Sequence, residues 1–128
     1  MRHRYGTALD WPLSYKELEP WYSQAEKELG IAGDDAVDPG MPRSIPYPMP
    51  PHPPSYLDRW VMDRLKPAGV EMQPLPVARN SRPYDGRQQC QGFSTCFKVC
   101  PSGARYTATV HVQKAIDAGA KLMANAPV

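Results

Sequence analysis

Residues 39–54 read Pro-Gly-Met-Pro-Arg-Ser-Ile-Pro-Tyr-Pro-Met-Pro-Pro-His-Pro-Pro, and eight of these positions are proline. Each proline lacks a backbone N–H and restricts the residue before it, so the run cannot continue a helix or enter the middle of a sheet. The run therefore predicts an extended, polyproline-like connector. Two roles are open for it: a stiff surface loop held against a larger body, which we favour, or a ligand for an aromatic groove.

A helix is predicted on the N-terminal side of this connector. Ser14 begins a capping box that Glu17 completes three residues later. Because proline suits the first turn of a helix, Pro20 predicts a short turn over 14–18 and then a separate helix over 20–29. The apolar positions expected to face inward are Leu18, Tyr22, Ala25 and Leu29.

The connector is followed by a second helix signal. Ser55 and Asp58 form another capping box, which predicts a helix to about Lys66 that the Pro-Ala-Gly sequence over 67–69 ends. Residues 70–77 look extended, but two prolines restrict them to an edge strand or a loop. The apolar face of this second helix is predicted to consist of Leu57, Trp60, Val61 and Leu65.

The C-terminal part predicts a helix followed by a strand. The helix is expected over 107–118, Gly119 ends it, and residues 120–126 look like a short strand. Upstream, the Asp85-Gly86 pair predicts a turn. The inward positions of this third helix are expected to be Ala108, Val112, Ala115 and Ile116.

Together these elements predict an α+β chain with few short strands and long proline-rich loops. Three amphipathic helices make a thin core for 128 residues, and the last strand has no evident partner, so we expect an internal fragment of a larger protein. We divide this single partial region into a helical segment (1–38), the proline-rich connector (39–54), a helix and edge strand (55–78), a cysteine loop (79–106) and a helix–strand unit (107–128).

Composition excludes two classes of partner. The net charge is +2, and basic and acidic residues are interleaved, so there is no basic stripe that would indicate nucleic-acid binding. No apolar run reaches the 18 residues of a membrane-spanning helix. The first seven residues have no apolar stretch typical of a secretory signal.

The chemistry of the chain is concentrated in its three cysteines. Cys90, Cys96 and Cys100, followed by Pro101, have the spacing C-x5-C-x3-C-P. Three thiolates on one irregular loop suit a soft metal centre, and the ending is similar to that of bacterial ferredoxin motifs. From spacing alone the alternatives stay open: buried thiols, one disulfide with a free thiol, or zinc with His111 as a fourth ligand.

Other polar residues give weaker signals. His111 is interpreted as a packing residue or a hydrogen-bonding residue, and neither His3 nor His52 shows a sign of acting as a general base. Three cations, Lys98, Arg105 and Arg87, could offset the charge of an anionic cluster or could simply be solvated.

Several motifs resemble the glucose–methanol–choline (GMC) oxidoreductases, which are FAD-dependent. The resemblance begins with Asp-Trp-Pro-Leu-Ser-Tyr over 10–15 and Leu-Glu-Pro-Trp-Tyr over 18–22. It sharpens at Pro-Tyr-Asp-Gly-Arg over 83–87, at the cysteines, and at Cys-Pro-Ser-Gly-Ala-Arg-Tyr over 100–106. These parts are similar to the branch formed by the large subunits of gluconate, fructose, sorbitol and glucose dehydrogenases.

This resemblance implies a site and a function. In that branch, cysteines at this spacing hold a [3Fe-4S] cluster, a role that passes to Cys90, Cys96 and Cys100. The cluster relays electrons from FAD to a multi-haem cytochrome c subunit, and the substrate is a sugar or polyol. Val128 corresponds to a valine that meets the adenine end of FAD. The Gly-x-Gly-x-x-Gly motif and the catalytic histidine do not occur in this chain, so we expect it to be inactive alone.

The resemblance also implies a location and leaves other functions open. Relatives work at the periplasmic face, associate with the membrane only through a partner, and are exported with a small chaperone-like subunit. One alternative is a stand-alone iron–sulfur or metal-binding module that transfers electrons without flavin. Another is an inert remnant of a truncated gene.

Overall fold

The computed structural model describes residues 5–7, 9–37, 40 and 42–126. Its helices are α1 (Tyr15–Leu29), α2 (Tyr56–Leu65) and α3 (Thr109–Asp117), and a 3-10 turn (Lys66–Ala68) follows α2. Across these ranges, β-pairing consists of isolated bridges, and none of the helices combines the length and apolar character needed to cross a bilayer.

Helix α1 is continuous, so the predicted break at Pro20 is wrong. The capping box of Ser14 and Glu17 is present as expected, and Gly30 ends the helix in the left-handed conformation. Pro20 lies inside the helix. Proline removes one backbone hydrogen bond of the helix. Next to it, the carboxylate of Glu19 accepts from the Ser23 hydroxyl at 2.9 Å and links the neighbouring turns.

Helix α2 begins and ends close to the predicted positions. Ser55 and Asp58 form the expected capping box, and Gly69, with φ of 74°, ends the 3-10 turn. Residues 70–77, predicted as an edge strand or a loop, form a loop. Val77 makes one isolated antiparallel bridge with Ala32, and the segment has no extended strand.

The C-terminal helix–strand prediction is half right. Helix α3 lies within the predicted range, but residues 120–126 form no strand. A strand needs a neighbour for its backbone groups, and no described segment pairs with these residues beyond the helix end, where Ala120 donates to Ala115 at 2.9 Å.

Three irregular segments pack together around Ala32 and form the core. Ala32 bridges Met49 of the proline-rich segment in parallel and Val77 in antiparallel orientation. Ala32 and Met49 are each only 1% exposed, and Tyr47 is buried beside them. The proline-rich segment therefore contributes to the core of this chain and is more than a connector.

Side chains fasten the proline-rich segment along its length. Its prolines have no N–H to donate, so the backbone contacts of these prolines are made through their carbonyl oxygens. Pro50 accepts from the Ser81 hydroxyl at 2.6 Å, and Pro48 accepts from the Arg82 guanidinium at 2.8 Å. Toward α1, the pairs are Ser44 with Glu19, Arg43 with Glu26, and Tyr15 with the Pro42 carbonyl.

The apolar helix faces predicted to point inward are largely exposed. Tyr22 is 50% exposed in α1, Leu57 65% in α2 and Val112 43% in α3. The spacing of apolar residues fixes which face of each helix is apolar, but within this chain the helices do not pack those faces against each other. The buried apolar residues of the described chain instead come from loops: Ala32, Tyr47, Met49 and Ala104.

Candidate metal centre

The cysteine loop is closed by a short antiparallel ladder. The Asn80 N–H donates to the Ala104 carbonyl and the Tyr106 N–H donates to the Ala78 carbonyl, both at 2.9 Å. Arg79 and Arg105 lie opposite each other between these bonds. Asn80 and Ala104 are fully buried, so the two ends of the loop are held together in water-excluded surroundings.

Asn80 connects the ladder to the turn that precedes the cysteines. Its Nδ2 donates to the carbonyls of Tyr84 and Arg87, each at 3.0 Å. These two residues close the predicted turn, in which Asp85 and Gly86 both have positive φ, as a type I′ hairpin turn requires. The Asn80 carbonyl accepts the Cys90 N–H at 2.9 Å, which fixes the position of the first cysteine.

Cys96 is contacted by two arginines. The Arg105 guanidinium donates to the Cys96 carbonyl, and the Arg79 Nη1 lies 3.9 Å from the Cys96 Sγ, within hydrogen-bond range for sulfur. One cation therefore holds the backbone of this cysteine while another faces its thiol.

Cys100 lies in a turn that directs donors at its sulfur. The Gly103 N–H donates to the Cys100 carbonyl at 3.0 Å, and the Ser102 hydroxyl lies 3.6 Å from the Sγ. The Arg105 backbone N–H, followed by the Ser102 hydroxyl, lowers the pKa of the Cys100 thiol. Donors aimed at sulfur favour the thiolate, which is the form that binds metals.

The structure brings the three predicted ligands onto one scaffold without closing a ligand set. All three thiols are unpaired and half-buried, so neither the disulfide nor the fully buried alternative describes this arrangement. In the described part of the chain, no three His, Cys, Asp or Glu side chains are arranged to hold a metal ion. The ladder thus fixes the ends of the loop, and the sulfurs themselves do not converge.

The histidines behave largely as the sequence indicates. His111 makes a 2.9 Å hydrogen bond through Nδ1 with the Tyr106 hydroxyl, and its Nε2 lies 3.7 Å from the Glu28 carboxylate. Its ring is therefore engaged away from the thiols, which disfavours the zinc alternative. His3 lies outside the described residues.

The sequence reasoning missed two polar residues of the site, Arg79 and Asn80, and it assigned no role to His52. The His52 Nε2 lies 3.0 Å from the Arg79 carbonyl oxygen and 3.2 Å from the Arg79 Nε. Of the cations that were considered, Arg105 does reach the loop, whereas Arg87 donates to the Leu29 carbonyl at 2.9 Å. Spacing could not identify Arg79, because its role depends on the register of the ladder with residues 104–106.

The pH dependence of stability should reveal the environment of His52. Burial, together with the nearby Arg79 charge, lowers the pKa of His52, although a hydrogen bond with the Arg79 backbone acts in the opposite direction. Below pH 6.5, the ordinary pKa of histidine, the unfolded chain therefore binds more protons than the folded chain. The free energy of unfolding falls as the pH drops below about 6.5, and it levels off below the pKa of His52 in the folded chain. Urea unfolding at pH 7.5 and 5.5 should show a smaller loss for His52→Gln than for the wild type, and equal losses would contradict this assignment.

Comparison with known proteins relates the chain to oxidoreductases of sugars and alcohols. No protein-family model matches it. It is 44% identical over 126 residues to the fructose dehydrogenase large subunit of Gluconobacter japonicus, covering 97% of this chain and 23% of that protein. It is 34% identical over 105 residues to 6'''-hydroxyparomomycin C oxidase of Streptomyces lividus, covering 80% and 19%. It is 33% identical over 128 residues to 2-methyl-1,2-propanediol dehydrogenase of Mycolicibacterium austroafricanum, covering 98% and 23%.

These matches confirm the sequence-based prediction at the level of an oxidoreductase relationship. They also show that the chain spans about a fifth of the length of the curated relatives that it matches. The name of the Gluconobacter protein indicates that it is one subunit of a larger assembly.

Proposed function

We propose that this chain is a segment of an FAD-dependent sugar or polyol dehydrogenase of the GMC type, and that Cys90, Cys96 and Cys100 hold a [3Fe-4S] cluster. The observation that carries the proposal is the common scaffold of the three thiols. None of the three thiols is in a disulfide, and residues of the same ladder contact each cysteine. The Asn80 carbonyl accepts the Cys90 N–H, Arg79 faces the Cys96 sulfur, and the Arg105 N–H faces the Cys100 sulfur. The similarity to a fructose dehydrogenase large subunit extends over the whole loop.

The donor set fits such a cluster chemically. Three thiolates add negative charge to an iron–sulfur core, and this chain supplies Arg79 at the Cys96 sulfur and N–H donors at the Cys100 sulfur to offset it. When bound, a cluster of this kind accepts and releases single electrons. The protein's part is to hold the three ligands, to limit access of water, and to stabilise the added charge.

The rest of the proposed enzyme lies outside this segment. We assign no catalytic residue here, and Val128, the candidate FAD contact, is not among the described residues. Flavin binding and proton transfer would be supplied by other parts of the enzyme, so this chain alone should not oxidise substrate. A cytochrome c partner, a small export subunit and periplasmic membrane association are part of the same proposal.

Iron binding by the 128-residue chain is the direct test. After anaerobic reconstitution we expect about three irons per chain with acid-labile sulfide, and an oxidised-state EPR signal of a [3Fe-4S] cluster. Cys96→Ser should lose the signal, whereas Gln88→Ala, an exposed change in the same loop, should retain it. A chain that binds no iron although circular dichroism shows its helices intact would contradict the proposal.

A further inference from the structure

We propose that Arg79 is the positioning cation of the Cys96 sulfur and that His52 holds its guanidinium in place. The charge contact is a property of the chain itself, whereas its effect on a cluster rests on the proposed function above. No sequence motif indicated this role. It follows from the register of the ladder and from contacts at both edges of one guanidinium.

The geometry fixes Arg79 at three points. Its backbone lies in the ladder opposite Arg105. Its Nε lies 3.2 Å from the His52 Nε2, which also lies 3.0 Å from the Arg79 carbonyl oxygen, and its Nη1 lies 3.9 Å from the Cys96 Sγ. A guanidinium is planar and carries donors on more than one edge, so a group that holds the Nε edge also aims the Nη edge. Contact with the histidine therefore directs the charge at the thiol.

Neighbouring arginines do not duplicate this contact. Arg105 donates to the Cys96 carbonyl, Arg87 to a carbonyl at the end of α1, and Arg82 to a carbonyl of the proline-rich segment. Each of these cations is thus directed at a backbone oxygen. Arg79 is the arginine of this group that faces a sulfur atom.

The surroundings of Arg79 strengthen its charge interactions. With His52 it lines a pocket of about 200 Å³, whose other walls include Pro51, Met62 and Leu75. Arg79 and His52 are both half-buried, which reduces the screening of the guanidinium's field at the sulfur. A half-buried guanidinium suits a fixed electrostatic role better than a freely solvated one does.

Local charge at Cys96 can be measured without any metal. In a chain with Cys90→Ser and Cys100→Ser, Cys96 is the remaining thiol, and its alkylation by anionic iodoacetate can be compared with that by neutral iodoacetamide. Both reagents attack the same thiolate, so the ratio of the two rates reports the local charge and cancels the thiolate fraction. We expect Arg79→Gln to lower this ratio about threefold.

Two further variants make the result specific. Arg79→Lys keeps the charge and should retain most of the ratio. Arg82→Gln makes the same change of net charge in the same segment, but its guanidinium contacts the Pro48 carbonyl, so the ratio should stay near the wild-type value. Equal decreases for Arg79→Gln and Arg82→Gln would overturn the inference, as would an unchanged ratio in Arg79→Gln.

The iron-loaded chain separates this inference from the proposed function. A cation beside a ligand sulfur favours the reduced, more negative state, so Arg79→Gln should shift the EPR-monitored midpoint potential to lower values. If the wild type binds no iron but Arg79→Gln still lowers the alkylation ratio, the proposed function fails and the charge contact stands. If iron binds and Arg79→Gln changes neither the ratio nor the potential, the Arg79 inference fails alone.

Discussion

Asn80→Asp is expected to lower the free energy of unfolding by about 3 to 5 kcal/mol at pH 7. The Nδ2 of Asn80 donates to the carbonyls of Tyr84 and Arg87, and the residue is fully buried. In the aspartate variant an oxygen replaces that donor and faces two carbonyl oxygens. The Oδ1 of Asn80 has no hydrogen-bond partner either, so neither oxygen of the aspartate would have a hydrogen-bond donor.

The second asparagine of the chain provides a matched control. Asn125 is exposed, and Asn125→Asp should change stability by no more than about 0.5 kcal/mol. Urea unfolding followed by circular dichroism would measure both variants. Since the buried carboxyl should remain protonated to a higher pH than in the unfolded chain, the penalty of Asn80→Asp should shrink toward pH 4. Equal effects of the two substitutions would show that Asn80 does not anchor the turn.

The loss of stability in Asn80→Asp should extend to the cysteine loop. The Asn80 carbonyl accepts the Cys90 N–H, and its N–H donates to Ala104. When the side chain no longer fixes the turn, both of these bonds should open more often. Because hydrogen exchange reports local opening, faster exchange of the Cys90 amide in Asn80→Asp would link the ladder to the ligand loop.

What the sequence predicts well here is local. Capping boxes at Ser14 and Ser55 and the turn at Asp85-Gly86 depend on residues within four positions of each other, and all are present. The ligand candidates could also be read locally, because their spacing is a property of one loop. These features need no knowledge of the rest of the fold.

What the sequence does not predict is register between distant segments. Arg79 opposite Arg105, and Ala32 between Met49 and Val77, follow from pairings that leave no periodic signal. The strand expected over 120–126 did not form for the same reason, since a strand depends on a neighbour and not only on its own residues. The apolar spacing identifies one face of each helix, but whether that face is buried depends on the segment that lies opposite it.

Gly33→Ala is expected to destabilise the chain by about 1 to 3 kcal/mol through overpacking. A Cβ at this position would lie 2.5 Å from the Cδ2 of Tyr47 and 2.6 Å from its Cε2. Neither partner can withdraw easily. The Gly33 N–H is bonded to the Met49 carbonyl, while the Tyr47 N–H is bonded to Asp35 and its ring lies 3.5 Å from the Arg43 guanidinium carbon.

A double-mutant cycle with Tyr47→Ala tests whether that ring is the cause. Truncating Tyr47 costs stability by itself, but it removes the atoms that a new Cβ would strike. In that background Gly33→Ala should become neutral or stabilise by up to about 1 kcal/mol, because alanine restricts the unfolded chain more than glycine does. If Gly33→Ala costs the same in both backgrounds, the glycine is required by its backbone rather than by the proline-rich segment. A change of sign would instead show that the close approach of Tyr47 to residue 33 fixes that segment against the core.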